Sequence, residues 1–145
     1  MPYDPLLHAR AVLAARGWLD VPFRHQGRSR AGIDCVGLLV CVAREMGLPE
    51  YDVTGYTRRA QGMGFLEHFH ANFSEIPLGA AMPGDVLVFV ETVYPCHTGI
   101  MSERHGVPHV IHAHAPRQKV IEEPFSGEWQ GKLRFAFRFP GAGGF

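Results

Sequence analysis

Asp34-Cys35-Val36-Gly37-Leu38-Leu39 is the stretch that decides how this chain folds, because here a polar, arginine-bearing loop gives way at once to a strongly apolar run. The segment 34–46 stays apolar on nearly every side until Arg44-Glu45, then stops at Gly47 with Pro49 beyond. A helix that is apolar all round is a buried one, so this is expected to be the central helix around which the rest packs. Cys35 then falls in its first turn, where unsatisfied backbone N–H groups and the helix dipole favour a thiolate over a thiol. Cys41, between Val40 and Val42 on the same helix, reads instead as a small core residue.

Working outward, Asp4-Pro5 is a helix start, with an N-cap carboxylate and proline at the first helical position, and the alanine-rich segment 6–16 runs to Gly17. Residues 24–32 carry Arg24, Arg28 and Arg30 with two glycines and read as a loop leading into Cys35. Residues 49–78 read as an elaborated connection with one short helical candidate at 65–70. Beyond Pro83-Gly84 the period switches to strands at 85–90, 96–101, 109–115, 119–122 and 133–139, the last alternating arginine and phenylalanine. Helices first and strands afterwards imply an α+β domain whose antiparallel sheet of about five strands packs its apolar face on the Cys35 helix. The glycine-rich end at 141–145 reads as a loose tail.

Composition narrows the function. At 145 residues and 46% apolar, the chain suits one domain spanning 1–145. Lys plus Arg and Asp plus Glu both total 14, so no global field draws it to nucleic acid or to a membrane surface. No apolar stretch approaches the roughly 18 residues of a membrane span. Met1-Pro2-Tyr3-Asp4-Pro5 lacks the basic start and apolar stretch of a signal peptide, which points to synthesis in the cytoplasm. The three cysteines match no disulfide or zinc framework and are expected to be reduced thiols.

A thiolate nucleophile needs an imidazole to take its proton and a third polar group to orient that imidazole. His97, in Cys96-His97-Thr98-Gly99-Ile100-Met101, is the candidate base, with Gly99 on the same strand face leaving space beside it. In the next strand His112 and His114 share a face while His109 lies on the other, so one of the first two is expected to orient His97. An alternative reads His112, His114 and Cys96 beside His97 as zinc ligands of a hydrolase.

Five motifs in order resemble the NlpC/P60 family of papain-like cell-wall cysteine peptidases, and more narrowly its phage and gene-transfer-agent tail members. They are Gly17-Trp18-Leu19-Asp20-Val21-Pro22-Phe23, Asp34-Cys35-Val36-Gly37-Leu38, Pro83-Gly84-Asp85-Val86-Leu87-Val88-Phe89, His97-Thr98-Gly99-Ile100 and Val110-Ile111-His112-Ala113. The resemblance implies Cys35 as nucleophile, His97 as base and acid, His112 as its orienting residue, and no cofactor. It implies hydrolysis of amide bonds in peptidoglycan stem peptides, commonly from D-γ-glutamyl to a diamino acid. A phage-like tail hub or distal tail protein is the implied partner, and the tail tip, acting in the periplasm or wall, the implied location.

Two departures stand out. Phe23 replaces the family's tyrosine, whose hydroxyl helps bind the oxyanion, so either His25 or Gln26 substitutes, or the Cys35 backbone N–H carries the oxyanion largely alone, or the enzyme is slow. Val36 replaces the serine that usually follows the cysteine. Arg24, Arg28 and Arg30 are candidates for pairing with stem-peptide carboxylates. The lost hydroxyl also raises the alternative of a structural tail component with a degenerate peptidase fold.

Overall fold

The computed structural model describes residues 3–48, 63–90 and 95–140. Asp4 caps α1 (Pro5–Arg16), its carboxylate accepting from the N–H groups of Leu6 at 3.0 Å and Leu7 at 3.2 Å. The helix turns Leu7, Ala11, Val12 and Ala15 inward. The loop that follows is less irregular than its composition suggests. Arg28–Ser29 (β1) and Gly32–Ile33 (β2) close a two-stranded ribbon directly ahead of α2 (Cys35–Glu45). Every residue of α2 from Val36 to Ala43 is buried, as an all-apolar helix requires. Each leucine so buried contributes about 1.5–3 kcal/mol.

The connection after α2 falls partly outside the described residues, at 49–62. Its short helical candidate is α3 (Met63–Asn72), longer than the sequence suggests, and it is followed by an unforeseen strand, β3 (Ser74–Ile76). The remaining strands are β4 (Val86–Val90), β5 (Pro95–Arg104), β6 (Val107–His114), β7 (Lys119–Pro124) and β8 (Leu133–Arg138), with a second unforeseen element, α4 (Gly127–Lys132), before β8. They form one antiparallel sheet of six strands, not five, in the order β3-β8-β4-β5-β6-β7. The expected loose tail lies outside the described residues.

Period-two alternation divides the core between the two faces of the sheet. Val86, Val88, Ile100, Ile111, Ala113, Val120 and Phe137 pack with α1 and α2. Leu87, Phe89, Val110 and Ala136 pack on the other face with Trp129 of α4.

Two charged clusters tie α1 to the sheet. His8 Nε2 donates to buried Asp85 at 2.8 Å, and Arg138 grips the same carboxylate through Nε and Nη2, each at 2.8 Å. Glu122 of β7 accepts from Arg16, Arg104 and Ser102. Burial pushes its carboxyl up, but these hydrogen bonds outweigh burial and hold its pKa at about 2.

Candidate active site

Cys35 is the first residue of α2, half-buried, and packs against the helix-side core. What fixes the helix start is Asp34, whose buried carboxylate gathers three donors: Gly37 N–H at 2.8 Å, Gln26 N–H at 2.7 Å and Arg28 Nη1 at 3.1 Å. One aspartate thus caps the helix and clasps the preceding loop to it. Gly37 makes the clasp possible, because a Cβ there would stand 2.3 Å from the Gly27 carbonyl oxygen and 2.9 Å from Arg28 Nη1.

The imidazoles come from the sheet, on β5 and β6. His97, on β5 opposite Phe89, is buried, and its Nε2 is 2.7 Å from His112 Nδ1 on β6. His112, fully buried, turns its Nε2 to Glu123 Oε2 on β7, again at 2.7 Å. Trp129 of α4 covers both rings, with centroids 5.5 Å from His97 and 4.9 Å from His112. Burial, and then the neighbouring His112 and His114, push His97 well below the ordinary histidine pKa, so its resting form is the neutral base. His114 stacks on His112 at 5.0 Å, and burial lowers its pKa to about 4. The hydrogen bond from His112 holds the Glu123 carboxyl below the usual range, although burial pushes the other way.

Among the described residues hydrogen bonds join His97, His112 and Glu123 into one network. His109 is indeed off the His112 face, its Nδ1 donating to the Val107 carbonyl. The expected space beside Gly99 is not open. A Cβ there would meet His112 Cβ at 2.9 Å and Val110 Cγ2 at 2.8 Å, so the glycine serves the close approach of β6 and no substrate. Glu123 is absent from the sequence reading because the strand was expected to end at 122. Continuing the alternation Lys119, Ile121, Glu123 beside His112 and His114 would have revealed it.

The loop candidates separate. Phe23 is half-buried, packs against the helix-side core, and donates its backbone N–H to Gln118 O at 2.8 Å. Gln26 adopts φ 61° and spends its N–H on Asp34, while His25 Nδ1 stands 3.9 Å from the same carboxylate. Two of the three arginines make contacts within the chain. Arg28 holds Asp34 and the Gly27 carbonyl, and Arg30 lies 3.7 Å over the Trp18 ring while donating to the Gly17 carbonyl. Arg24 is exposed, its stem over Gly32. The zinc alternative loses a ligand, since both His112 nitrogens are engaged by His97 and Glu123. The Cys96 side chain lies outside the described residues.

The sequence profile of the NlpC/P60 family matches residues 20–138, which span the Asp34 clasp and the whole His97–His112–Glu123 network. The chain belongs to the NlpC/P60 family. Solved NlpC/P60 structures share its fold at low identity. The NlpC/p60 domain of the peptidoglycan hydrolase SagA superposes with TM-score 0.62 at 22% identity, over 91% of this chain and 98% of that one. An N-acetylmuramoyl-L-alanine amidase from Bacteroides uniformis gives 0.67 at 13%, over 92% and 99%. NlpC2 from Trichomonas vaginalis gives 0.69 at 16%, over 92% of this chain but 46% of its own. No curated protein sequence matches. The NlpC/P60 fold here is α+β, with the cysteine helix packed on the six-stranded sheet whose strands carry the imidazoles.

Proposed function

We propose that this NlpC/P60 protein is a peptidoglycan hydrolase that cuts stem-peptide amide bonds as a cysteine endopeptidase. The observation that carries the reading is the neutral, buried His97 held at 2.7 Å by His112, on the sheet packed against the helix that opens with Cys35. His97 Nε2 faces His112, so Nδ1 is the nitrogen that takes the proton from the Cys35 thiol. The thiolate attacks the amide carbonyl, and the protonated His97 returns that proton to the leaving amine. Water then repeats the sequence on the acyl-enzyme. The first-turn N–H groups at Cys35 and Val36 lie N-terminal to the one Asp34 claims, where a developing oxyanion gains from the helix dipole.

Purified sacculi digested with the protein should release stem-peptide fragments identifiable by mass, and Cys35→Ser should release none. Intact sacculi with the wild-type chain would overturn the reading in favour of a degenerate structural component, for which half-buried Phe23, with no hydroxyl to donate, is the favouring observation. Carriage on a phage-like tail rests on the sequence resemblance alone. Its test is whether purified particles contain the protein at the tail tip and whether Cys35→Ser particles deliver DNA poorly.

A further inference from the structure

We propose that Glu123 is a positioning residue of this site: by accepting the Nε2–H of His112, it sets the tautomer that leaves His97 Nδ1 free to take a proton. The inference rests on His97 being the base.

An ionised carboxylate can only accept, so the 2.7 Å contact with Glu123 Oε2 requires a proton on His112 Nε2. In its neutral form His112 then has a bare Nδ1. That atom lies 2.7 Å from His97 Nε2, and one proton must stand between them, so His97 is the donor. With its proton on Nε2, neutral His97 has a bare Nδ1, the form a base facing a thiol needs. The opposite His112 tautomer would donate from Nδ1 into His97 Nε2 and force the His97 proton onto Nδ1, where a thiol could not deliver one. When His97 accepts the thiol proton, its Nε2–H stays in place and the new positive charge is stabilised through His112 by the carboxylate. No proton reaches Glu123.

The position of Glu123 is built rather than incidental. β6 pairs with β7 so that His112 faces Ile121 and Val110 faces Glu123, which sets the carboxylate diagonally across from the imidazole. Its other oxygen lies 3.6 Å from Arg117 Nη2, and His114 and Trp129 close the remaining sides of His112.

Nitrogen-15 NMR of histidine-labelled full-length chain reads each tautomer directly, and sacculus digestion reads kcat and KM. In the wild type His112 and His97 should both carry the proton on Nε2. Glu123→Ala should populate the other His112 tautomer and lower kcat by roughly 10–100-fold, as loss of an orienting partner does at metal-bound histidines, with KM nearly unchanged. Glu123→Gln, whose amide oxygen still accepts, should keep the tautomer and recover part of kcat. An unchanged His112 tautomer in Glu123→Ala, or an unchanged kcat, would overturn the assignment. Should Glu123→Ala not fold, Glu123→Gln decides alone, since lost charge should still lower kcat and full wild-type kcat refutes the role. Because the NMR signal needs no turnover, failure of the hydrolase reading appears separately, as sacculi left intact by the wild-type chain, and failure of the cysteine's role as hydrolysis surviving in Cys35→Ser.

Discussion

Cys35 and Cys41 share one helix yet differ in what surrounds the sulfur. Cys35 is half-buried at the helix start, whereas Cys41 is 4% exposed with its thiol against the Arg28 carbonyl. Iodoacetamide should therefore label Cys35 first, as mass mapping of a time course would show. Cys35→Ser should leave the circular dichroism unchanged while hydrolysis falls by about 10⁴-fold or more. Faster labelling of Cys41 would sink the assignment. Phe23→Tyr adds a hydroxyl at nearly constant ring volume. If an oxyanion donor is missing, kcat should rise, within the roughly 10²–10³-fold that one such donor is worth. An unchanged kcat would show the position already served, with His25 and Gln26 next to replace.

At the scale of elements, the approach of β5 to β6 is the feature a single methyl group can test. Gly99→Ala would put a Cβ 2.9 Å from that of His112, pushing β6 outward or turning the imidazole away from His97. Overpacking of this kind costs about 1–3 kcal/mol, so Tm should fall and hydrolysis should fall further than the lost fraction of folded protein explains. Equal losses in both would mean that His112 keeps its place. The ends of α1 and the C-terminus of α2 were legible in the sequence because their signals are local chemistry: Asp4-Pro5, Gly17 and Gly47 act within a turn. The apolar run of β4 and the alternation in β6 and β8 were legible for the same reason. β3 was not, because Ser74-Glu75-Ile76 is too short to show a period and is a strand only by pairing with β8. Nor was α4, where Gly127 and Gly131 within six residues oppose a helix and burial of Trp129 compensates. His97 and His112 were named from spacing and resemblance. Glu123 needed the register of β7, which no single strand carries.

For the whole molecule, acid should act in two stages. Above the ordinary histidine value of 6.5, His97 and His114 are neutral whether folded or not. As pH falls from 6.5 toward about 4, the unfolded chain binds protons that these buried imidazoles refuse, and stability drops. Glu122 contributes stability that is present above 4.5 and is lost as pH falls through that value toward about 2. Thermal melts across pH should show both declines, and Glu122→Gln should flatten the lower one. A Tm that holds level from neutral pH down to about 4 would contradict the lowered histidine values.

Trp129 gives the protein an optical reading of its own site. Its indole ring covers His97 and His112 and lies 5.7 Å from His114, close enough for an imidazolium to quench its emission. With Trp18→Phe to remove the second fluorophore, intensity at 295 nm excitation, roughly where indole alone absorbs, becomes a titration curve. Substrate seated over these rings would shift that curve before any bond is cut, so binding and turnover can be timed separately without a label.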